Sequence, residues 1–375
     1  MKKISFDDLN GKVCVITGGA GVIGISLVKA LVSVGTKVAI VDINEELAQQ
    51  VAADISKEFD ATCIGVKANV LDKESLEAAK LVINEKLGPI ELLINGAGGN
   101  SPQATTQVEQ MEEADLDNLE KTFYGLQMEG FDKVFALNFK GTILPTMVFT
   151  RDMLLKRKGS VLNISSMNSY HPLTKIPAYS AAKASVNNFT EWLAVHLAKM
   201  GIRVNAIAPG FFITSQNRFL VLDEKTGGYA PRGHKIVTNT PMGKFGDPDD
   251  LQGGSLYLLS DISSFVTGIV IPVDGGVQCL QRSIRNTFLP HQTIQTISYE
   301  PHIKTKLQNL LAGSNQHGCQ DHATQWTAGP QQLPFPDGSL KCRNQCGQHL
   351  LLSWPSCEGP DHLRKRQSDC PDDQK

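Results

Sequence analysis

Nowhere in the 375 residues is there the run of ~18 uninterrupted apolar side chains that a membrane span requires. The opening stretch, Met1 to Asn10, is polar and has no apolar core that could act as a secretory signal. The chain also lacks a charge bias. Lys and Arg total 36 against 38 Asp and Glu, a formal net charge of -2, so global electrostatics give no argument for nucleic-acid or anionic-membrane binding. Cysteine is scarce before residue 278. Only Cys14 and Cys63 occur there, both in apolar runs where a buried free thiol is the default, and neither asks for an oxidising compartment. The expectation is a soluble cytoplasmic protein.

The last quarter lacks something different. From Gln278 to Lys375 there is no Val and no Met, while six of the eight Cys and six of the nine His fall there. Rich in Gln, His, Pro and Cys and without helical or strand periodicity, this stretch cannot bury enough apolar surface to offset chain entropy. The division expected is therefore a single folded domain, residues 1–277, followed by a tail, residues 278–375, that is disordered or foreign to the fold. Cys342, Cys346, His349, Cys357 and His362 fit no zinc spacing well, and no metal is expected.

Before the tail, apolar runs alternate with helical patterns. Lys12 to Thr17 reads as a strand ending in the turn Gly18-Gly19-Ala20-Gly21-Val22-Ile23-Gly24, and helical spacing then continues through Leu27, Leu31 and Val32. Strands follow at 37–42, 61–66, 91–95, 160–164, 203–208 and 268–273, with helices at 45–58, 73–87, 131–156, 177–200 and 248–260. That rhythm implies an α/β fold, a doubly wound parallel sheet of seven strands. Two long segments interrupt it. Residues 96–130 read as a partly helical flap, through Met111, Leu116, Leu119, Phe123 and Leu126, and residues 211–246 as irregular; both follow strand ends, where open α/β sheets place their ligands.

Glycines after the first strand let backbone N–H groups approach a pyrophosphate at a helix N-terminus. Asp42, closing the second strand, lies at the ~20-residue offset where a carboxylate accepts hydrogen bonds from an adenosine ribose and would repel a 2'-phosphate. The cofactor expected is NAD in preference to NADP. Farther along, Tyr179 and Lys183 stand four apart, on one face of a helix, where an ammonium favours the phenolate of a neighbouring phenol.

With Thr17-Gly18, Asn95-Gly96-Ala97-Gly98, Asn138, Ser166, Tyr179, Lys183 and Pro209-Gly210 in order, the chain resembles the short-chain dehydrogenase/reductase family from residue 10 to about 277. Ser166 precedes Tyr179 by the family's thirteen positions, and Thr214 stands where a family threonine meets the nicotinamide amide. The resemblance implies a Rossmann-like fold and a tetramer built on the helices from Phe131 and Pro177. It also implies a catalytic set of Asn138, Ser166, Tyr179 and Lys183. The cofactor would be held by Thr17, Gly18, Gly21, Ile23, Gly24, Asp42, Asn69, Val70, Asn95, Gly96, Ala97, Gly98, Tyr179, Lys183, Pro209, Gly210 and Thr214. Three positions depart from the family pattern: Val22 replaces a glycine, Gly96 a second Asn, and Asn69 an Asp.

Within the family, the glycine turn, the acidic insertion and the runs 163–168, 173–179, 216–219 and 239–243 resemble the D-mannonate oxidoreductase branch. That implies interconversion of D-mannonate and D-fructuronate, with gluconate and its 5-keto form as the near alternative. A sugar acid needs a cation for its carboxylate and amides for its hydroxyls. Of the loop candidates Asn100, Asn168, His171, Lys175, Asn217, Arg218 and Arg232, the two singled out are Asn168 and Arg218, in the runs nearest Ser166 and Thr214. A non-catalytic dinucleotide-binding scaffold is the alternative of a different class, and the presence of Tyr179 and Lys183 speaks against it.

Overall fold

Short Val/Ile-rich runs buried on both faces form the centre of the molecule, as a parallel sheet covered on two sides requires. In this computed structural model residues 4–214, 217–223 and 226–280 are described, together with the backbone of 339–343 and 349–353. The chain divides into two units, Met1–Gln292 and Thr293–Lys375. Among its described residues the first has seven strands: β1 (Val13–Thr17), β2 (Lys37–Asp42), β3 (Cys63–Lys67), β4 (Leu92–Asn95), β5 (Gly159–Ile164), β6 (Ile202–Pro209) and β7 (Val270–Val273). All pair in parallel, in the order β3-β2-β1-β4-β5-β6-β7. The order reverses between β1 and β4, so the crevice beyond their C-terminal ends is the natural ligand bay.

Alternation along the strands feeds two cores. Cys14 and Ile16 of β1 join Leu27, Val28 and Leu31 of α1 (Val22–Ser33) on one face. Val13 and Val15 join Leu76 and Ile83 of α3 (Lys73–Lys86) on the other. Helix α2 (Glu45–Phe59) starts at Asn44, whose side chain accepts from the Leu47 N–H, and α3 starts at Asp72, which accepts from Glu74 and Ser75.

Three sequence expectations need correction. The helix expected over 131–156 is broken into α4 (Met128–Phe135), a π turn (Ala136–Lys140), α5 (Gly141–Phe149) and α6 (Arg151–Lys156). Pro145 lies inside α5 and has no N–H to give, and the hydroxyls of Thr142, Thr146 and Thr150 each donate to the carbonyl four residues back. The flap over 96–130 is partly helical as expected, in four short 3-10 helices before α4 begins, although Met111, Leu116, Leu119 and Phe123 are exposed. Residues 211–246 are less irregular than their sequence, since α8 (Arg218–Val221) and α9 (Pro231–Thr238) form there. They are bracketed by α7 (Pro177–Leu197) before and α10 (Gln252–Leu259) after. In the second unit, β8 (Ser339–Arg343) and β9 (His349–Ser353) pair antiparallel, where no strand was expected; Leu340 and the run Leu350-Leu351-Leu352 supply the missed apolar signal.

Candidate active site

At the C-terminal end of β5 the chain passes Ser165 and Ser166 into a 3-10 turn, Met167–Ser169. Helix α7 then crosses over this point, begun by Pro177, whose missing N–H is harmless in a first turn. Its buried face carries Ala178, Ala182, Lys183 and Val186, and so brings Tyr179 and Lys183 to the strand end one turn apart. Lys183 is 4% exposed; its ammonium donates to the Ile164 carbonyl at 2.7 Å and lies 5.7 Å from the Tyr179 ring centre. Ser166 hydrogen-bonds the Tyr179 phenol.

Asn138 sits in the π turn rather than in regular helix, fully buried, donating to the carbonyls of Gly99 (2.7 Å) and Val134 (2.8 Å) and accepting from the Gly99 N–H at 3.2 Å. A Cβ on Gly98 would stand 2.7 Å from Asn138 Oδ1 and 3.3 Å from Lys183 Nζ, so all three meet at one point. Asn138, Ser166, Tyr179 and Lys183 are therefore neighbours.

The electrostatics differ from the expectation of a phenol lowered by its ammonium. Burial pushes the Tyr179 phenol up, with the Ser166 hydrogen bond opposing it, although the residue as a whole is half-exposed. Burial likewise brings Lys183 down from 10.5 to about 8. In a dry site the loss of hydration outweighs the mutual attraction of the charged forms.

The residues expected to hold a dinucleotide lie across the β1/β4 crevice. Gly18 adopts φ +64°, and a Cβ there would meet the Ala97 backbone at 2.8 Å, so this turn admits only glycine. Thr17 Oγ1 accepts from the N–H groups of Gly96 (3.2 Å) and Ala97 (3.3 Å) and ties the two strand ends together. Gly21 begins α1 without a side-chain cap, leaving the first-turn N–H groups at Val22, Ile23 and Gly24 without intrahelical acceptors, a fit for an anion. Asp42 ends β2, half-buried, with Oδ1 accepting from the Asn44 N–H at 3.1 Å. Asn69 and buried Val70 follow β3, and the Asn69 side chain accepts from the Leu71 N–H. Asn95 stands apart: buried within the sheet, it donates to Thr146 and Asn163 at 2.8 Å each, behind the bay.

Pro209 ends β6, and Gly210 donates to the Val273 carbonyl at 2.9 Å. Thr214 is held by its N–H donating to Asn217 Oδ1 at 2.8 Å. The two substrate candidates differ sharply in setting. Asn168 is buried, its N–H donates to Ser166 Oγ at 3.2 Å, and its Oδ1 has no protein partner among the described residues. Arg218 opens α8 with its side chain exposed and its N–H on the Thr214 carbonyl.

Sequence reasoning missed how the two long loops meet. Lys235 of α9 pairs with Glu109 of the acidic insertion, and the Thr106 N–H donates to the Lys175 carbonyl at 2.9 Å. The Lys235 hydrogen bond, and the charges of Lys175 and Arg232 beside it, hold the Glu109 carboxyl below its ordinary range. Such a cross-loop pair leaves no local pattern. Cys346, Cys357 and His362 of the tail lie outside the described residues, as do the side chains of Cys342 and His349.

A family model described as enoyl-(acyl carrier protein) reductase matches residues 18–278. An uncharacterized oxidoreductase of Bacillus subtilis, UxuB, is 48% identical over 271 residues, which are 72% of this chain and 96% of that protein. The solved structure of a candidate D-mannonate oxidoreductase from Haemophilus influenza, with bound NAD, matches with a TM-score of 0.69 at 45% identity, over 72% of this chain and 96% of that one. A gluconate 5-dehydrogenase from Burkholderia cenocepacia, in complex with NADP and tartrate, matches with a TM-score of 0.61 at 28% identity, over 73% of this chain and 98% of that one.

Proposed function

The chain belongs to the short-chain dehydrogenase/reductase family, and we propose that it interconverts D-mannonate and D-fructuronate with NAD as the hydride carrier. The observation that carries the reaction type is the meeting of Ser166, Tyr179, Lys183 and Asn138 beside the β1/β4 crevice. NAD, when bound, supplies a nicotinamide that accepts a hydride from the carbinol carbon. Thr17, Gly18, Gly21, Ile23, Gly24 and Asp42 would hold its adenosine and pyrophosphate, with Asn69, Val70, Gly96, Ala97 and Gly98 beside them. Pro209, Gly210 and Thr214 would face the nicotinamide end.

The chain's own groups then handle the proton. The Tyr179 phenolate takes the hydroxyl proton as the C–H electron pair leaves carbon, and in the reverse direction the phenol returns it. Ser166 donates a hydrogen bond to the same substrate oxygen. Lys183 keeps the phenolate charge balanced, and Asn138 holds the turn around it through Gly99.

NAD in preference to NADP rests on Asp42, whose carboxylate repels a 2'-phosphate. The sugar acid rests on the match to the NAD-bound Haemophilus protein, which extends over 96% of that chain. A second reading, gluconate and its 5-keto form, is supported by the more distant Burkholderia match. On the substrate side, the unpartnered Asn168 Oδ1 would accept from a sugar hydroxyl, and Arg218 would pair with the carboxylate. Trp192 and Val195, exposed on α7, would be covered in a homotetramer.

The test is NADH absorbance followed over a panel of hexuronates and aldonates. Turnover fastest with fructuronate and mannonate is the expected outcome. Faster turnover of 5-ketogluconate and gluconate would transfer the assignment to the second reading.

A further inference from the structure

Asn187 stands four residues beyond Lys183 on α7, so Tyr179, Lys183 and Asn187 follow one another along the same side of the helix. An amide on a buried helix face needs partners for both ends, and Asn187 has them. Its Oδ1 accepts from the Ser165 hydroxyl, and its Nδ2 donates to Ser169 Oγ at 2.8 Å. Ser169 passes its own hydroxyl proton to the Ser166 carbonyl at 2.6 Å, and the Ser169 N–H reaches the same carbonyl at 3.0 Å. Ser165 is tied in turn to β6 by its N–H on the Ile207 carbonyl at 2.7 Å. Ser166 is thus flanked by two hydroxyls, Ser165 and Ser169, and both are gripped by one amide from the helix that carries Tyr179 and Lys183.

We propose that Asn187 is a positioning residue, which fixes the Ser166 hydroxyl relative to Tyr179 by clamping the Ser165–Ser169 turn to α7. This rests on Ser166 and Tyr179 acting on the same substrate oxygen. Two groups that must reach one atom come from different elements, a strand end and a helix. Ser165 and Ser169 also meet each other, hydroxyl to hydroxyl at 3.3 Å, but among the described residues it is the Asn187 amide that ties both to α7, so loosening it lets the turn drift while Tyr179 stays where its helix holds it. An error of ~1 Å in placing such a group lowers turnover by up to ~100-fold.

Asn187→Leu removes the clamp and takes the shared amide from the buried Ser165 hydroxyl and the half-buried Ser169 hydroxyl, which keep only their bonds to each other and to the Ser166 carbonyl, so it lowers both stability and kcat. A second variant separates these effects. In Ser165→Ala/Ser169→Ala/Asn187→Leu no unpaired hydroxyl remains, and removing all partners together is close to neutral for stability. The expected result is a melting temperature near that of the parent, kcat down by ~10-fold to 100-fold, and unchanged NADH binding by fluorescence. If the triple variant recovers kcat to within threefold of the parent along with its stability, Asn187 serves the fold alone and the proposal is overturned. Retention of parental turnover by Tyr179→Phe is a separate outcome, which removes the functional reading and the inference with it.

Discussion

Replacing Lys183 with Met should make the protein more stable at neutral pH while abolishing its chemistry. The burial that brings Lys183 from 10.5 to about 8 is a penalty on the charged amine, which is only 4% exposed. The difference is between two and three powers of ten at ~1.4 kcal/mol each, or roughly 3 kcal/mol. Met keeps the stem but leaves the Ile164 carbonyl without its 2.7 Å bond, a loss of ~1–3 kcal/mol. The net gain at pH 7 is then up to ~2 kcal/mol. Because the folded-state value is depressed, the unfolded chain holds a proton that the folded chain has lost between about 8 and 10.5, and the parent gains stability as pH rises through that window. The variant does not, so its advantage shrinks by ~3 kcal/mol across the window and reverses. Urea unfolding of both proteins from pH 7 to 10.5 measures this directly, and turnover should fall at least ~100-fold. A variant that is less stable than the parent at pH 7, by a margin constant up to pH 10.5, would refute the reasoning.

The sheet was legible because parallel strands buried on both faces are continuous apolar runs. Each of the seven lies within two residues of where Val, Ile and Leu clustering puts it. The helix through Asn138 was not. Phe135 to Lys140 read as helix by local pattern, and the π turn there goes with Asn138 reaching Gly99, thirty-nine residues away in sequence, whereas Gly141 and Pro145 farther along are interruptions visible in the sequence. The same reason hides the Asn187 clamp, since a polar residue on a helix reads as solvent-facing until β5 is packed against it. The phenol's direction was misjudged for a related cause. Sequence gives the spacing of Tyr179 and Lys183 but not the depth at which they sit, and depth decides the sign.

The groups that would meet a dinucleotide lie mostly at strand ends and in the first turn of α1, so their order in the chain is their order in space. Groups that would meet the sugar acid come from three loops whose mutual placement is set by contacts such as Glu109 with Lys235. Asn168 could be picked out because it lies two residues from Ser166, and its buried, unpartnered oxygen suits a polar ligand. Arg218 was chosen by the same proximity in sequence to Thr214, yet its side chain is exposed, while Lys175 and Arg232 gather with Lys235 around Glu109. Proximity in sequence places a residue near a site only when the intervening backbone is fixed, and a strand end fixes it better than a loop does.

Three further outcomes are expected. Asp42→Ala should weaken NADH binding and relax discrimination against NADP, read as the ratio of kcat/KM for the two cofactors; equal use of both by the parent would sink the role given to Asp42. A chain ending at Leu280 should keep the melting temperature and turnover of the full protein. It retains the bonds from the Gln278 and Leu280 N–H groups to Asp274 and Gly276, and loss of folding on truncation would make the tail a structural part. Arg218→Met keeps the stem and removes the guanidinium donors. A charge-assisted bond to a carboxylate is worth ~1.5–3 kcal/mol, so kcat/KM for the sugar acid should fall by ~10-fold or more while NADH binding holds. A change within threefold, under ~1 kcal/mol, would mean that the carboxylate is bound elsewhere. The three cations beside Glu109 then become the candidates, because the single carboxylate they share leaves charge available for a second.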